Sequence, residues 1–199
     1  MRSKKLPKVL TREEQERILN VPNHRYVTAH RNYVLIRLML NTGLRLSEAT
    51  NLRWRDVNLT SGKLEVIEGK GGKDRNLWLN VDDLEMLKEW KERQTEKADK
   101  ALEYVFTSMS QDTIGNRLDN RYVQQMVRRY AKKAKIKKKI SPHTFRHTFA
   151  TDLYSNTRNI RLVQKALGHN QLSTTMIYTH IVDKELEEEL KNFRNKEKS

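Results

Sequence analysis

Residues 31–43 read RNYVLIRLMLNTG, and this stretch decides the fold that the sequence predicts. Residues 31–41 are apolar almost all round and contain neither glycine nor proline. Such a composition is typical of a helix buried at the centre of a domain, because a surface helix carries an apolar stripe on one face only. Thr42 and Gly43 follow, and we expect the central helix to end there.

On either side of the central helix, the sequence predicts further helices and a small sheet. Thr11 and Glu14 form a capping box that starts the first helix, and a short helix is expected after Ser47. Residues 64–67 and 75–79 favour extended structure, and the glycine-rich segment EGKGGKD between them is typical of a hairpin loop. We therefore expect a small antiparallel sheet.

The second half of the chain is predicted to be mostly helical. Ser141 and Pro142 supply an N-cap and a proline at the first helical position, and Gly168 is expected to close a later helix as a left-handed cap. The predicted fold class is thus mainly α with a small antiparallel β-sheet (α+β). The elements expected here are one more short strand at 104–107 and helices over 81–97, 120–134, 143–155 and 160–167.

We expect one domain with short additions at both ends, because 199 residues are enough for a single domain with a real core. Residues 1–10 are predicted to be an N-terminal extension, residues 11–182 the main domain, and residues 183–199 an amphipathic tail helix. One face of that tail helix would carry Leu186, Leu190 and Phe193.

Composition excludes several classes of protein. The chain has no cysteine, which excludes disulfides, thiolate metal ligands and a cysteine nucleophile. Apolar runs do not reach the roughly 18 residues of a membrane span, and the start MRSKKLPKVL lacks the apolar core of a signal peptide. We therefore expect a soluble protein of the cytoplasm with no membrane partner.

The charge balance indicates a polyanionic partner. Forty Lys and Arg residues stand against 25 Asp and Glu, which gives a net charge of +15. Nucleic acid is the first partner to expect from such an excess, and binding would depend on salt. The lysine run KKAKIKKK at 132–139 must lie on the surface, where it is either simply solvated or a contact for DNA phosphates. A lysine-rich surface that only maintains solubility is the alternative.

Two residues at a predicted helix start point to an anion site. His143 and Arg146 are three residues apart, so both lie on one helix face beside backbone amides that favour anions. A rival interpretation pairs His143 with His147 as metal ligands, but no acidic residue lies between them and no cysteine is available as a third ligand. A further alternative is a helix-start histidine beside an ordinary surface arginine.

Four other side chains are candidates for chemistry, and each has an ordinary structural alternative. Arg45 follows the central helix, and Glu48 could hold its guanidinium by a bidentate pair, which is equally typical of a structural ion pair. Lys70 sits between glycines in a hairpin loop that lacks the spacing of a phosphate-binding P-loop, and such loops are commonly exposed turns. His169 follows a helix cap, and Tyr178 is in a position where a half-buried tyrosine with its hydroxyl in water is common.

The order of these residues along the chain resembles the tyrosine recombinases, the family of phage integrases and Xer proteins. An arginine, a lysine in a hairpin loop, His-x-x-Arg at a helix start, Gly-His, and a tyrosine nine positions later occur in the family's order. The resemblance covers nearly all of the family's catalytic domain. Its motifs here are LPKVLTREE, TGLRLSEATNLRWRDV, GKGGKDR, SPHTFRHTFATDL, LGH and TTMIYTH.

The resemblance implies a nucleophile and a general acid. Tyr178 would attack a DNA phosphodiester and become joined to the 3′ phosphate, and Lys70 would protonate the departing 5′ oxygen. A phenol has an ordinary pKa near 10, so nearby cations or a histidine such as His143 would assist its loss of a proton. The covalent bond keeps its energy, and a second 5′ hydroxyl can reseal the strand without a cofactor.

The resemblance also implies groups that stabilise the phosphorane. Arg45 and Arg146 would form the phosphate clamp, because two guanidinium forks match non-bridging oxygens and stay charged. His143 and His169 would be supporting histidines, with His169 as a further donor to the same oxygens. The six implied residue types are all present, and the resemblance implies no metal ion.

The function expected from this resemblance is site-specific DNA recombination, for integration, excision or resolution. Double-stranded DNA is the expected partner, with self-association into a tetrameric synapse on DNA at the nucleoid. Family members usually have a further helical domain before the catalytic one, whereas only ten residues precede the first predicted helix here. A basic DNA-binding protein without catalysis and a tyrosine topoisomerase that cleaves and reseals one strand remain the alternatives.

Overall fold

The computed structural model of the chain describes residues 7–67, 74–169, 171–179 and 181–183. Within this part the two strands form an antiparallel pair and helices make up most of the remainder, so the predicted fold class is confirmed. Short 3-10 turns lie at Trp54–Asp56, Gln111–Thr113 and Leu172–Thr174. The other elements are α1 (Arg12–Leu19), α2 (Val27–Thr42), α3 (Leu46–Asn51), β1 (Lys63–Val66), β2 (Arg75–Trp78), α4 (Val81–Ala98), α5 (Asn120–Lys133), α6 (Pro142–Thr157) and α7 (Ile160–Leu167).

Helix α2 contains residues 31–42 and is buried almost all round, as predicted. It packs mainly against α4 and α6, with α1 as a further neighbour. Gly43 ends the helix with φ of +66°, and a Cβ at this position would lie 2.3 Å from Cδ1 of Phe149. Glycine is therefore required for both the backbone conformation and the close approach of α6. The fully buried apolar residues of α2 are Val34, Leu35, Ile36, Leu38 and Met39.

The predicted hairpin is present as the pair β1 and β2. Leu64 lies opposite Leu77, and Val66 lies opposite Arg75 at the end of the pairing. The burial of β2 alternates along the strand, with Arg75 and Leu77 facing inward. The register therefore places the two described ends of the loop 67–74 next to Arg75.

The prediction of a further strand at 104–107 was wrong. The described residues give this stretch isolated bridges at its ends and no strand. The carbonyl of Val105 accepts hydrogen bonds from Trp90 Nε1 at 2.8 Å and from Gln94 Nε2 at 3.1 Å. Each bridge is a single pair long, to Arg53 at one end and to Arg117 at the other, so no continuous ladder forms in the described part of the chain.

A second, smaller apolar cluster forms where α6 and α7 meet the chain after α7. The start of α6 is fixed by Pro142 at its first turn and by a hydrogen bond from the Ser141 amide to Thr144 Oγ1 at 3.2 Å. This cluster is where the C-terminal candidate residues are brought together. Its buried members are Ala150, Val163, Leu167, Tyr178 and Ile181.

Parts of the predicted ends lie outside the described residues. These parts are residues 1–6 of the expected N-terminal extension and residues 184–199 of the expected tail helix, with Leu186, Leu190 and Phe193. Of the helices that the structure describes, none has the length and apolar character needed to cross a membrane.

Candidate active site

Arg45 is oriented by Glu48 at the start of α3. As the N-cap residue, Arg45 donates its backbone N–H to Glu48 Oε2 at 2.7 Å and its Nη1 to Glu48 Oε1 at 2.7 Å. The Arg45 side chain is 35% exposed, whereas that of Glu48 is 6% exposed. Glu48 thus fixes a guanidinium that still faces the surface, where a ligand can reach it.

The predicted bidentate grip on Glu48 belongs to Arg75, not to Arg45. Arg75 Nη1 and Nη2 donate to the two carboxylate oxygens of Glu48 at 3.0 and 2.8 Å. Its Nε donates to the carbonyl of Ala166 at 2.8 Å, near the end of α7. Arg75 is buried, so one side chain connects β2, α3 and α7. The alternation of β2 contained a signal for this role, because Arg75 shares the inward face with Leu77.

The carboxylate of Glu48 is ionised under ordinary conditions in spite of its burial. Burial alone would raise its pKa, but the hydrogen bonds and charge of Arg75, together with the hydrogen bonds from Arg45, lower the pKa of Glu48 to about 2. Its negative charge offsets part of the positive charge that Arg45 and Arg75 bring into a half-buried site.

Arg146 joins the end of the central helix to the end of α7. Its Nη1 donates to the carbonyl of Gly43 at 2.7 Å, and its Nη2 donates to the carbonyl of Leu167 at 2.6 Å. Nη1 also lies 4.0 Å from Glu48 Oε2. Burial and the charge of Arg45 lower the pKa of Arg146 to about 10, which leaves the guanidinium charged at neutral pH.

His169 lies directly after the left-handed cap at Gly168, as predicted. Gly168 has φ of +66°, and the backbone N–H of His169 donates to the carbonyl of Gln164 at 3.1 Å. Nδ1 of His169 lies 3.0 Å from the hydroxyl of the buried Thr175. Burial and the charges of Arg146 and Arg45 lower the pKa of His169 to about 4, so its imidazole is neutral at neutral pH.

Tyr178 is buried in the smaller apolar cluster, with 2% of its surface exposed. Its hydroxyl is not in water: it lies 3.1 Å from Nδ1 of His147 on α6. Burial raises the pKa of Tyr178, and the charge of Arg146 acts in the opposite direction. The predicted nucleophile is therefore in the same subunit as the arginines and within the electrostatic reach of one of them.

His143 has two helix neighbours on α6, because Arg146 stands three residues after it and His147 four residues after it. His143 is exposed and His147 is partly buried. From the sequence, His147 was considered only as a rival metal ligand. Its contact with Tyr178 was not predicted, because the two residues are 31 positions apart in the chain. Among the described residues, no group of three or more potential ligands could hold a metal ion.

Lys70 lies outside the described residues, so its predicted role stays a prediction. The described ends of its loop are next to Arg75, which binds Glu48. An open groove of about 510 Å³ lies between β2 and α7 on this side of the domain, with Arg161, Lys165 and His169 in its lining. The groove therefore presents positive charge beside the two arginines of the candidate site.

The described side chains form one connected group. Glu48 binds Arg45 and Arg75 and approaches Arg146, and the charge of Arg146 acts on both His169 and Tyr178. Four of the six predicted residues are thus brought to one region, while His143 lies exposed on α6 three residues before Arg146 and Lys70 lies outside the described residues. Chemically, the region offers two charged guanidiniums, a neutral imidazole and a phenol, which suits stabilisation and attack of a phosphodiester.

Protein families and curated proteins that are similar to this chain indicate a single family. The model of the phage integrase family matches residues 8–185. Tyrosine recombinase XerC of Vibrio cholerae serotype O1 is 35% identical over 176 residues, which are 88% of this chain and 55% of that protein. The chain therefore spans about half the length of the curated relatives it matches.

Comparison with solved structures gives the same family. The crystal structure of XerA recombinase superposes with a TM-score of 0.79 at 32% identity, covering 96% of this chain and 66% of that one. XerH site-specific recombinase bound to palindromic difH substrate, a post-cleavage complex, has a TM-score of 0.79 at 34% identity and covers 96% and 54% of the two chains. By its sequence and its fold, the chain belongs to the phage integrase family, the tyrosine recombinases that its motifs resemble.

Proposed function

We propose that residues 11–182 are the catalytic domain of a site-specific DNA recombinase. It would cleave and rejoin strands through a covalent 3′-phosphotyrosine intermediate, for integration, excision or resolution. The observation that carries the proposal is the convergence of Arg45, Arg146 and His169 beside Tyr178 in a single subunit. DNA binding alone would not require a buried tyrosine next to this cationic group.

Arg45 and Arg146 are proposed to bind the non-bridging oxygens of the scissile phosphate. An arginine has five N–H donors, and the two carbonyls bound to Arg146 leave further donors to face a ligand. Because Glu48 and these carbonyls fix both guanidiniums before DNA arrives, little reorganisation is needed when charge builds up on the phosphorane. Loss of one such donor typically reduces the rate by about 10² to 10³.

His169 is proposed to donate a further hydrogen bond to the same oxygens. The hydroxyl of Thr175 can donate to Nδ1, which leaves the N–H on Nε2 directed elsewhere. The depressed pKa of His169 keeps the ring neutral, so it acts as a hydrogen-bond donor without adding charge. His143, exposed on α6 three residues before Arg146, is proposed to support the same phosphate.

Tyr178 is proposed to attack phosphorus while the 5′ oxygen departs with a proton from Lys70. The bond between phosphorus and the tyrosine oxygen forms as the bond to the 5′ oxygen breaks. The phosphotyrosine keeps the energy of the original bond, so a second 5′ hydroxyl can reseal the strand. The cycle needs neither a nucleotide cofactor nor a metal ion.

Duplex DNA is proposed as the substrate, and four copies of the chain as the unit of strand exchange. The net charge of +15 favours a polyanion, and the exposed lysines near the end of α5 provide phosphate contacts. The related XerH recombinase has been solved on palindromic difH DNA in a post-cleavage complex. A protein with this substrate would act at the nucleoid in the cytoplasm.

Covalent capture of DNA tests the proposal. The protein is incubated with a pool of nicked duplexes whose central segment is randomised. DNA that stays attached to the protein after denaturation is amplified, and its sequence defines a substrate. We expect the wild-type chain and Tyr154→Phe to form the adduct and Tyr178→Phe to form none. Tyr154 packs against the same apolar cluster as Tyr178, so its variant is a matched control for loss of a tyrosine hydroxyl.

Filter binding of the defined duplex completes the test, because Tyr178→Phe should still bind it without forming a covalent bond. An adduct that survives in Tyr178→Phe, or a wild-type chain that captures no member of the pool, would overturn the proposed function.

A further inference from the structure

His147 makes the hydrogen bond that the structure shows for the Tyr178 hydroxyl. Nδ1 lies 3.1 Å from the phenolic oxygen, and the two ring centroids are 5.9 Å apart at an angle of 49°. The roles assigned above make no use of His147. It is neither a phosphate ligand nor part of the predicted set, yet it contacts the atom that is proposed to react.

Both partners of this contact are held by the fold. His147 follows Arg146 on α6, and Arg146 is fixed to the carbonyls that end α2 and α7. Tyr178 is buried among residues of α6 and α7. A phosphate bound by Arg146 therefore arrives beside the helix face on which the tyrosine already has its hydrogen-bond partner.

The other described groups around the phenol are poorly suited to take its proton. Arg146 is charged and has no acceptor atom. Nδ1 of His169 is already bonded to Thr175. His143 is exposed on α6, and the contact at the phenolic oxygen is made by His147 instead.

His147 has the protonation state that an acceptor needs. Burial, followed by the charges of His143 and Arg146, lowers its pKa below the ordinary value of 6.5. The ring is therefore neutral at neutral pH, and a neutral imidazole carries one nitrogen with a free lone pair. With the ring proton on Nε2, Nδ1 is that acceptor.

We propose that His147 accepts the phenolic proton of Tyr178 as the tyrosine attacks DNA. This inference rests on the proposed function. The O–H proton passes to Nδ1, the phenolic oxygen forms its bond to phosphorus, and the 5′ oxygen leaves with a proton from the general acid. In resealing, the imidazolium returns the proton to the departing phenol. Tyr178 must become more exposed to reach the phosphate, and the proton transfer requires that its hydroxyl still lies within hydrogen-bond distance of His147 as it attacks.

Substitution by asparagine tests the acceptor role. Asparagine can still accept a hydrogen bond at this position, but it cannot take up a proton under ordinary conditions. We expect His147→Asn to form the adduct about 10² to 10⁴ times more slowly than wild type, the range for one positioned acid or base. The matched control is His24→Asn, an exposed histidine that packs against His30 and Tyr33, and it should keep the wild-type rate.

A substrate with sulfur at the bridging 5′ position separates this role from that of the general acid. A thiolate leaves without needing a proton, so the modified duplex should restore adduct formation by Lys70→Ala but not by His147→Asn. Added imidazole should accelerate His147→Ala, because it supplies the missing acceptor. The imidazole arm separates the acceptor from a purely structural role, because loss of a structural side chain would not be compensated by added imidazole, and absence of any acceleration would overturn the acceptor role.

Rates are compared at a temperature where circular dichroism shows each variant to be folded. His147→Asn with the wild-type rate, a faster rate, or a rate restored by the sulfur substrate would overturn the acceptor role. Failure of the wild-type chain to form any adduct would instead overturn the proposed function, so the two failures are distinguishable.

Discussion

Glu48 is the residue through which the arginines of the site are connected. Arg75 grips both carboxylate oxygens, while Arg45 binds through its backbone and side chain. A buried carboxylate with these partners stabilises the fold only when it is ionised, because protonation removes the charge to which both arginines donate.

The ionisation of Glu48 predicts a specific dependence of stability on pH. Its folded-state pKa of about 2 lies below the ordinary value of 4.5, so its contribution is complete above pH 4.5 and is lost as the pH falls toward 2. A depression of this size corresponds to about 3 kcal/mol. We expect the difference in unfolding free energy between wild type and Glu48→Gln, measured with urea, to shrink by about that amount over this interval. A difference that stays constant with pH would contradict the assigned ion pair.

For single residues, the sequence could predict which residue types form the site but not the contacts that orient their side chains. Arg45, Arg146, His169 and Tyr178 were identified by their order in the chain, and the structure brings them to one region. The grip of Arg75 on Glu48 depends on the register of the hairpin against α3, and the contact of His147 depends on where the chain returns after α7. Neither long-range pairing is encoded in local spacing.

At the scale of elements, the end of α7 positions His169 through the backbone of Gly168. A Cβ at Gly168 would lie 3.1 Å from Cδ of Arg75. Any other residue at this position would also have to adopt the left-handed conformation, with φ of +66°. The cap therefore sets both the direction of the chain at His169 and the space that Arg75 occupies.

Replacement of Gly168 by alanine tests this coupling. We expect a loss of about 1–2 kcal/mol in unfolding free energy from the left-handed backbone, together with slower formation of the DNA adduct. Gly62→Ala is the matched control, because Gly62 has φ of +71° and an added Cβ would lie 3.1 Å from the carbonyl oxygen of Leu79. Urea unfolding should show similar losses for both variants, and gel analysis should show a slower adduct only for Gly168→Ala. Equal adduct rates for the two variants would show that the Gly168 cap does not position His169 for the reaction.

Elements with strong local signals were predicted well, and the exception has a physical reason. The capping box of α1, the buried helix α2 and the glycine cap of α7 are determined by residues within a few positions of one another. The stretch 104–107 has the composition of a strand, yet it forms one bridge to Arg53 at one end and one to Arg117 at the other, and neither pairing continues. The length of a pairing depends on distant segments, which local sequence does not describe.

At the scale of the whole molecule, the surplus of positive charge should govern DNA affinity. The exposed lysines Lys132 and Lys133 end α5, and the chain carries a net charge of +15. Affinity for DNA falls as salt rises, and each phosphate contact makes the slope of log affinity against log salt more negative by about 0.9. We expect Lys132→Gln with Lys133→Gln to make that slope less steep by about 2, as measured by fluorescence anisotropy. The control Lys88→Gln on α4 should leave the slope unchanged. An unaltered slope in the double variant would show that the end of α5 does not contact DNA phosphates.

The phenol of Tyr178 is proposed to form the bond to DNA within this group of cations. The most direct measurement of this bond is mass spectrometry of the covalent adduct after digestion with nuclease and protease. We expect one modified peptide, with a nucleotide joined through its 3′ phosphate to Tyr178. A nucleotide attached to any other residue, or joined through a 5′ phosphate, would contradict it.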